Sequence, residues 1–131
     1  MKGDNGNVGI GTTAPAYKLS VNGSIQAKEV IVNTGWSDYV FQPDYHLTPL
    51  PEVAAYIKAN HHLPELPSEA EVLDKGTGLG EIQLKLLAKI EELTLHAIRA
   101  EERNRRLEEQ CQDLQKRIGA LERVAANWQA Q

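Results

Sequence analysis

The chain has 131 residues, 41% of them hydrophobic and 5% aromatic, with a net charge of −4 at pH 7. This length allows one ordinary domain or a small domain with an extension, and the acidic balance excludes electrostatic capture of nucleic acid or an anionic membrane. The sequence contains no run of about 18 apolar residues, so it predicts no membrane-spanning helix. The single cysteine, Cys111, excludes an internal disulfide.

Residues 1–33 predict a segment of short β-strands. Apolar residues recur at a spacing of two, the period of a half-buried strand, in four pairs: Val8 and Ile10, Leu19 and Val21, Ile25 and Ala27, Val30 and Val32. The dipeptide Asn22-Gly23 predicts a hairpin turn between the second and third pairs, and residues 12–15 predict a looser bend between the first and second. Because so thin a sheet cannot close a core alone, we expect copies to share one.

Residues 34–80 predict a small connector with short helices, and most of the aromatic residues lie in it. Thr48 is predicted to cap a helix that has Pro49 in its first turn and ends near Asn60. Its residues Leu50, Val53 and Ile57 would share one face. The prolines of residues 61–67 exclude a regular helix there.

A second short helix follows in the connector. Ser68 and Glu71 have the spacing of a capping box, which predicts a helix to Lys75 that Gly76 stops. Residues 76–78, with two glycines, would then form a hinge into the last part of the chain.

Residues 81–131 predict a coiled-coil helix. Apolar residues alternate at intervals of four and three over about six heptads, so the stripe should follow a left-handed supercoil and meet a partner helix along its length. With Leu86 as d, the core positions are Leu86, Ile90, Leu93, Ala97, Ala100, Asn104, Leu107, Cys111, Leu114, Ile118 and Leu121, followed by Ala125 and Trp128.

Flanking charges favour a parallel assembly of identical chains. In a parallel pair each g residue faces the e residue five positions later on the neighbour, which pairs His96 with Glu101, Arg103 with Glu108, and Arg117 with Glu122. Such pairs choose orientation more than they stabilise. Asn104, at an a position, would meet its own copies on the axis and set the register.

The heptad pattern determines the number of chains less clearly than it determines their orientation. The mixed a positions and mostly leucine d positions lean slightly towards two strands. The sparse N-terminal strands favour three, because three narrow apolar faces can share a core around a threefold axis.

The first half of the long helix carries additional apolar residues. Leu84, Leu87, Leu95 and Ile98 lie outside a and d, whereas the outer positions from Arg99 to Arg123 are almost all polar. We therefore expect residues 36–73 to pack against helix residues 82–98, either of their own chain or of a neighbour. The remaining helix would project as a stalk about 45 Å long.

Four segments together resemble a known family. GNVGIGTTAPAYKLSVNGSIQAKEVIV, WSDYVF, HLPELPS and LGEIQLKLLAKIEELTLHAI are similar to the C-terminal region of tail-fibre-like proteins, which are common in Bacteroidetes genomes and related to phage tail fibres and spikes. The resemblance covers roughly residues 6–110. It implies a homotrimer whose C-terminal module aligns the chains and nucleates folding, at an extracellular or virion location.

The same resemblance raises the possibility of self-cleavage. Some fibres end in an intramolecular chaperone that cuts itself off at a Ser-Asp pair, with a lysine shortly downstream. Ser37-Asp38 matches the pair, but no lysine occurs before Lys58, so the base for a Ser-Lys mechanism is missing from its place. We expect no enzyme activity.

The sequence thus predicts an α+β fold: short strands with a shared trimeric core, a connector with short helices, and a long parallel coiled coil. The favoured function is a non-catalytic trimerisation and registration module without cofactor or metal. One alternative is a receptor- or glycan-binding fibre tip, with the recognition residues Trp36, Tyr39, Tyr45, His61 and His62. The others are the autoproteolytic chaperone and a cytoplasmic coiled-coil scaffold.

Overall fold

The computed structural model describes residues 6–33, 35–36 and 39–131. The chain divides into two compact units, Met1–Val32 and Asn33–Gln131. Within the described residues the elements are two strands, β1 (Val8–Ile10) and β2 (Leu19–Val21), and three helices, α1 (Leu50–Asn60), α2 (Glu69–Lys75) and α3 (Leu79–Gln129). The α+β class with a long C-terminal helix is therefore confirmed.

The first unit is a small parallel pair of strands. β1 and β2 pair in register, with Val8 opposite Leu19 and Ile10 opposite Val21, and the backbone N–H of Val8 donates to the carbonyl of Lys18 at 2.8 Å. The buried Asn7 donates from Nδ2 to the carbonyl of Pro15 at 3.1 Å and so holds the connection against β1.

Glycine is required inside β1. A Cβ on Gly9 would lie 2.3 Å from the carbonyl oxygen of Thr12, closer than atoms can pack. The connection therefore bends directly over the strand, and no larger residue fits there.

The predictions of a third strand, a fourth strand and an Asn22-Gly23 hairpin were wrong. Over residues 24–33, all of them described, the chain forms no strand. Asn22 lacks the positive φ that a type I′ turn needs; its backbone N–H instead donates to the carbonyl of Ile10 at 2.9 Å. A strand exists only through pairing, and the single chain provides no partner for residues 25–32.

The first unit has too few apolar contacts for a core of its own. Ile10 and Leu19 are each 56% exposed, and Ile25 is 69% exposed. These apolar side chains therefore remain largely exposed in the single chain.

Helix α1 ends at Asn60 as predicted, but its start differs. Pro49, not Thr48, is the N-cap residue, and no side chain caps the helix. The prolines at positions 49 and 51 suit the first turn because they have no N–H to leave unpaired. Thr48 instead presents its carbonyl to His96 of α3, with Nε2 at 3.1 Å.

The connector after α1 follows the sequence prediction. His61 adopts the left-handed conformation, with φ of 60°, at the C-cap of α1. Ser68 and Glu71 form the capping box of α2, and Gly76 ends it. Residues 76–78 then lead into α3.

The second unit is built on the first half of α3. The most buried apolar side chains of its described residues are Val40 and Ala88, each 1% exposed, followed by Leu47 at 8%. Ala88 lies outside the heptad core, so residues 39–66, which we call the middle segment, cover the outer face of α3 at this point.

Tyr45, Thr48 and Glu65 contact Glu92, His96 and Lys89 of the same chain, so the predicted packing on residues 82–98 is found for part of residues 36–73. Trp36 and Leu73, near the two ends of that segment, are 77% and 80% exposed. The sequence-based segments 34–80 and 81–131 belong to one unit.

Candidate oligomerisation surface

The predicted coiled-coil core forms a continuous exposed stripe on α3, which we call the seam. All eleven predicted core residues, from Leu86 to Leu121, are exposed. Leu93 is 66% exposed and Leu121 is 68% exposed, although they lie four heptads apart. The end residues Leu86 and Leu121 are 46% and 68% exposed, so the seam is open to solvent at both ends in the single chain.

The predicted interchain charges are also exposed. Arg103, Glu108, Arg117 and Glu122 lie along the sides of the seam. Arg117 approaches Asp113 of the same helix at 3.8 Å, a distance too long for a strong ion pair.

A polar cluster ties the middle segment to α3. The hydroxyl of Tyr45 donates to Oε1 of Glu92, and Lys89 donates to both carboxylate oxygens of Glu92 at 2.9 Å. Lys89 also contacts Glu65 of the loop at 2.7 Å. Three segments that are distant in sequence therefore converge on one turn of the helix.

The cluster shifts two pKa values in the same direction. Burial, reinforced by the hydrogen bond to the Glu92 carboxylate, raises the pKa of Tyr45 above its usual 10.0. Burial lowers the pKa of Lys89, but its hydrogen bonds to Glu65 and Glu92 outweigh that effect and the net pKa is raised. Both groups hold their protons more firmly in the folded chain.

Beside the seam lies an apolar groove of about 630 Å³. Its floor is formed by Leu86, Ile90 and Leu93, which are also seam residues at d, a and d. One wall is formed by Leu50 and Val53 of α1, and the loop residues Leu63 and Pro64 extend it. We call this the lateral groove; it lies at the g side of the seam, where Lys89 and His96 project.

Glu91 is an exception on the covered face of α3. It is 8% exposed, and its Oε2 has no hydrogen-bond partner in the part of the chain that the structure describes. A buried acceptor without a partner destabilises the packing around it.

The predicted recognition residues are not brought into one patch. Tyr39 and Tyr45 pack with ring centroids 5.7 Å apart and their planes tilted by 45°, whereas His62 packs edge-on against Tyr56 at 5.6 Å. Trp36 is 77% exposed and His61 is exposed. Since the hydroxyl of Tyr45 is bound to Glu92, that residue has a structural role.

Three further sequence-based questions concern self-cleavage, metal binding and membrane-spanning helices. Ser37 and Asp38, the predicted cleavage pair, lie outside the described residues. Over residues 6–33, 35–36 and 39–131, no group of three or more His, Cys, Asp or Glu side chains is placed to hold a metal ion. No helix in these ranges has an apolar stretch long enough to cross a membrane.

The lateral groove and the polar cluster were not identified from the sequence. The additional apolar residues of α3 indicated that residues 36–73 pack on it, but not on which side of the seam. Spacing within one helix relates Lys89 to Glu92; no sequence pattern relates either of them to Tyr45 or Glu65.

Comparison of the chain with protein-family models, with curated proteins and with solved structures found no match.

Proposed function

We propose that the chain is a trimerisation and registration module of a fibre-like protein, and that it acts by assembly without catalysis. The observation that carries this proposal is the seam. A helix of 51 residues keeps an unbroken heptad stripe exposed while its own chain packs on a different face.

Burial of the seam provides the driving force. Full burial of one leucine or isoleucine side chain is worth about 1.5 to 3 kcal/mol. The seam carries such residues from Leu86 to Leu121, and the last of them is 68% exposed in the single chain. A coiled coil of two or more helices is the arrangement that covers a heptad stripe of this length.

Orientation and chain number rest on further features. The g and e charges attract one another between parallel copies, and Asn104 would pair with its own copies in one register only. Three chains would give the exposed strands of the first unit a shared core, since Ile10 and Leu19 are each 56% exposed in one chain. The family resemblance of the sequence also favours a trimer.

Sedimentation equilibrium tests the number of chains directly. We expect three times the chain mass at micromolar concentration. A single-chain mass would refute assembly, and a twofold mass would refute the trimer while leaving a parallel coiled coil.

Cys111 provides a test of orientation, since it is exposed on the seam as a free thiol. Parallel copies in register bring their Cys111 residues together, so mild oxidation should join chains in pairs. A second variant, Gln131→Cys with Cys111→Ser, places the thiol at the end of the chain. It should also cross-link if the copies are parallel. Antiparallel copies that cross at position 111, and could therefore join through Cys111, would hold the thiols at position 131 about 60 Å apart.

Recognition is a second candidate function, and exposed aromatic residues favour it. Trp36 is 77% exposed and Phe41 is 56% exposed; exposed aromatic side chains suit binding surfaces. Binding to a glycan array that Trp36→Ala abolishes, with the chain number unchanged, would support this function. Binding that Trp36→Ala leaves intact would exclude this surface.

A further inference from the structure

The lateral groove has an opening that its own chain leaves unfilled. None of the α1 residues, all of them described, is buried. Leu50 at the groove wall is 55% exposed, and Ile90 on the floor is 60% exposed. An amphipathic helix that buries no residue lacks the packing that stabilises helices of this length.

The groove is continuous with the seam. Its floor residues Leu86, Ile90 and Leu93 are the residues that a second helix must cover in the proposed coiled coil. A helix lying on this part of the seam would therefore also fill the space between the seam and α1.

The chemistry at the rim fits a parallel copy of α3. Lys89 and His96 lie at g positions on the groove side, and in a parallel pair they face Thr94 and Glu101 of the neighbour. Glu101 is exposed and would lie opposite the imidazole of His96. Thr94 is short enough to lie against Lys89, whose charge is already paired with Glu65 and Glu92.

We propose that the lateral groove receives helix α3 of a second copy of this chain, so that α1 and residues 63–64 of each copy clamp the neighbouring helix. This inference rests on the proposed function and deepens it. The middle segment then holds its own α3 through the polar cluster and the neighbour's α3 through the groove. Registration of the chains would depend on both the seam and this clamp.

A matched pair of α1 variants tests the clamp. Val53→Glu places a charge in the groove wall, whereas Ala55→Glu places the same charge two residues further on, away from the face shared by Leu50 and Val53. We expect Val53→Glu to weaken assembly by about tenfold or more, which corresponds to about 1.4 kcal/mol. Ala55→Glu should assemble like the parent chain.

A cross-linking experiment detects the contact without disturbing the groove by a charge. Two chains of different size, both carrying Cys111→Ser, would be mixed by unfolding and refolding. One carries Val53→Cys and the other Thr94→Cys, and a short bifunctional maleimide is added. A product that joins the two sizes supports the clamp, and Ala55→Cys in place of Val53→Cys should give much less of it.

The outcomes separate the two proposals. If the parent chain assembles and its Cys111 residues join, but Val53→Glu behaves like Ala55→Glu and no mixed product forms, the clamp is refuted and the coiled coil stands. If the parent chain sediments as a single chain, both proposals fail. If Val53→Glu sediments as a monomer and loses helical circular dichroism, the variant fails to fold. The cross-linked product of the two chain sizes then decides whether the clamp exists.

Discussion

The two halves of α3 differ in what their own chain does for them. In residues 79–98 the middle segment covers the outer face, so that Ala88 is 1% exposed. In residues 99–129 none of the side chains, all of them described, is buried. Yet the seam is equally open in both halves. The chain therefore packs on the outer face of α3 and leaves the heptad stripe exposed along its whole length.

The second half should accordingly depend entirely on assembly. Leu114→Asp puts a charge on the seam and removes a leucine whose loss alone costs about 2 to 5 kcal/mol in a core. We expect a single-chain mass in sedimentation and loss of the helical circular dichroism contributed by residues 99–129. Gln112→Asp adds the same charge at an outer position and should change neither. Equal behaviour of the two variants would show that the seam is not an interface.

Weaker packing of the middle segment on residues 79–98 should not disturb assembly through residues 99–129. Val40→Ala removes two methyl groups from a site that is 1% exposed, at a cost of roughly 2 kcal/mol. Amide hydrogen exchange should become faster in residues 39–66 and stay unchanged in residues 99–129. Val30→Ala, at a site that is 62% exposed, is the matched control. Faster exchange along all of α3 would contradict the division into two halves.

A single substitution in the polar cluster should weaken the contact between the middle segment and α3 by a smaller amount. Tyr45→Phe keeps the ring and removes the hydrogen bond to Glu92, so we expect a loss of about 1 to 2 kcal/mol in the free energy of opening residues 39–66. Hydrogen exchange measures this loss. Tyr56→Phe removes a hydroxyl from a neighbouring helix and should have no such effect.

The same cluster predicts a dependence on alkaline pH. Because the pKa values of Tyr45 and Lys89 are raised in the folded chain, their contribution to stability is complete below the ordinary values of 10.0 and 10.5. It is lost as the pH rises through the higher folded values. Contacts of the middle segment should therefore weaken above pH 10, and Tyr45→Phe should weaken less over that range.

The smallest effect is expected in α2, where none of the seven residues, all described, is buried. Ser68→Ala removes the cap that accepts from the Glu71 backbone N–H at 3.3 Å, at a cost of about 1 kcal/mol to that helix. Amide exchange should become faster within residues 69–75 alone. Both halves of α3 should keep their rates, and a change in either would link α2 to the packing.

Acid should act on the same helix end. Hydrogen bonds from the backbone and hydroxyl of Ser68 lower the pKa of Glu71 from 4.5. The group therefore contributes stability above pH 4.5 that is lost as the pH falls through the lower folded value. Glu71→Gln should remove this acid dependence of exchange in α2.

The sequence by itself determined the elements that depend on local chemistry. The capping box of Ser68 and Glu71, the stop at Gly76 and the heptad stripe of α3 follow from groups close together along the chain, and the structure has the predicted helices at these places. The end of α1 at Asn60 belongs to the same class.

Only the tertiary structure decided which residues of the chain contact α3 and which strands pair. Tyr45 meets Glu92 across 47 residues of chain, and β1 and β2 pair in parallel, which the alternating pattern of each strand does not specify. Such contacts depend on the three-dimensional path of the backbone, because packing between distant segments has no periodic signal along the chain. The lateral groove arises in the same way, from apolar residues of α1, a loop and α3 that no spacing rule connects.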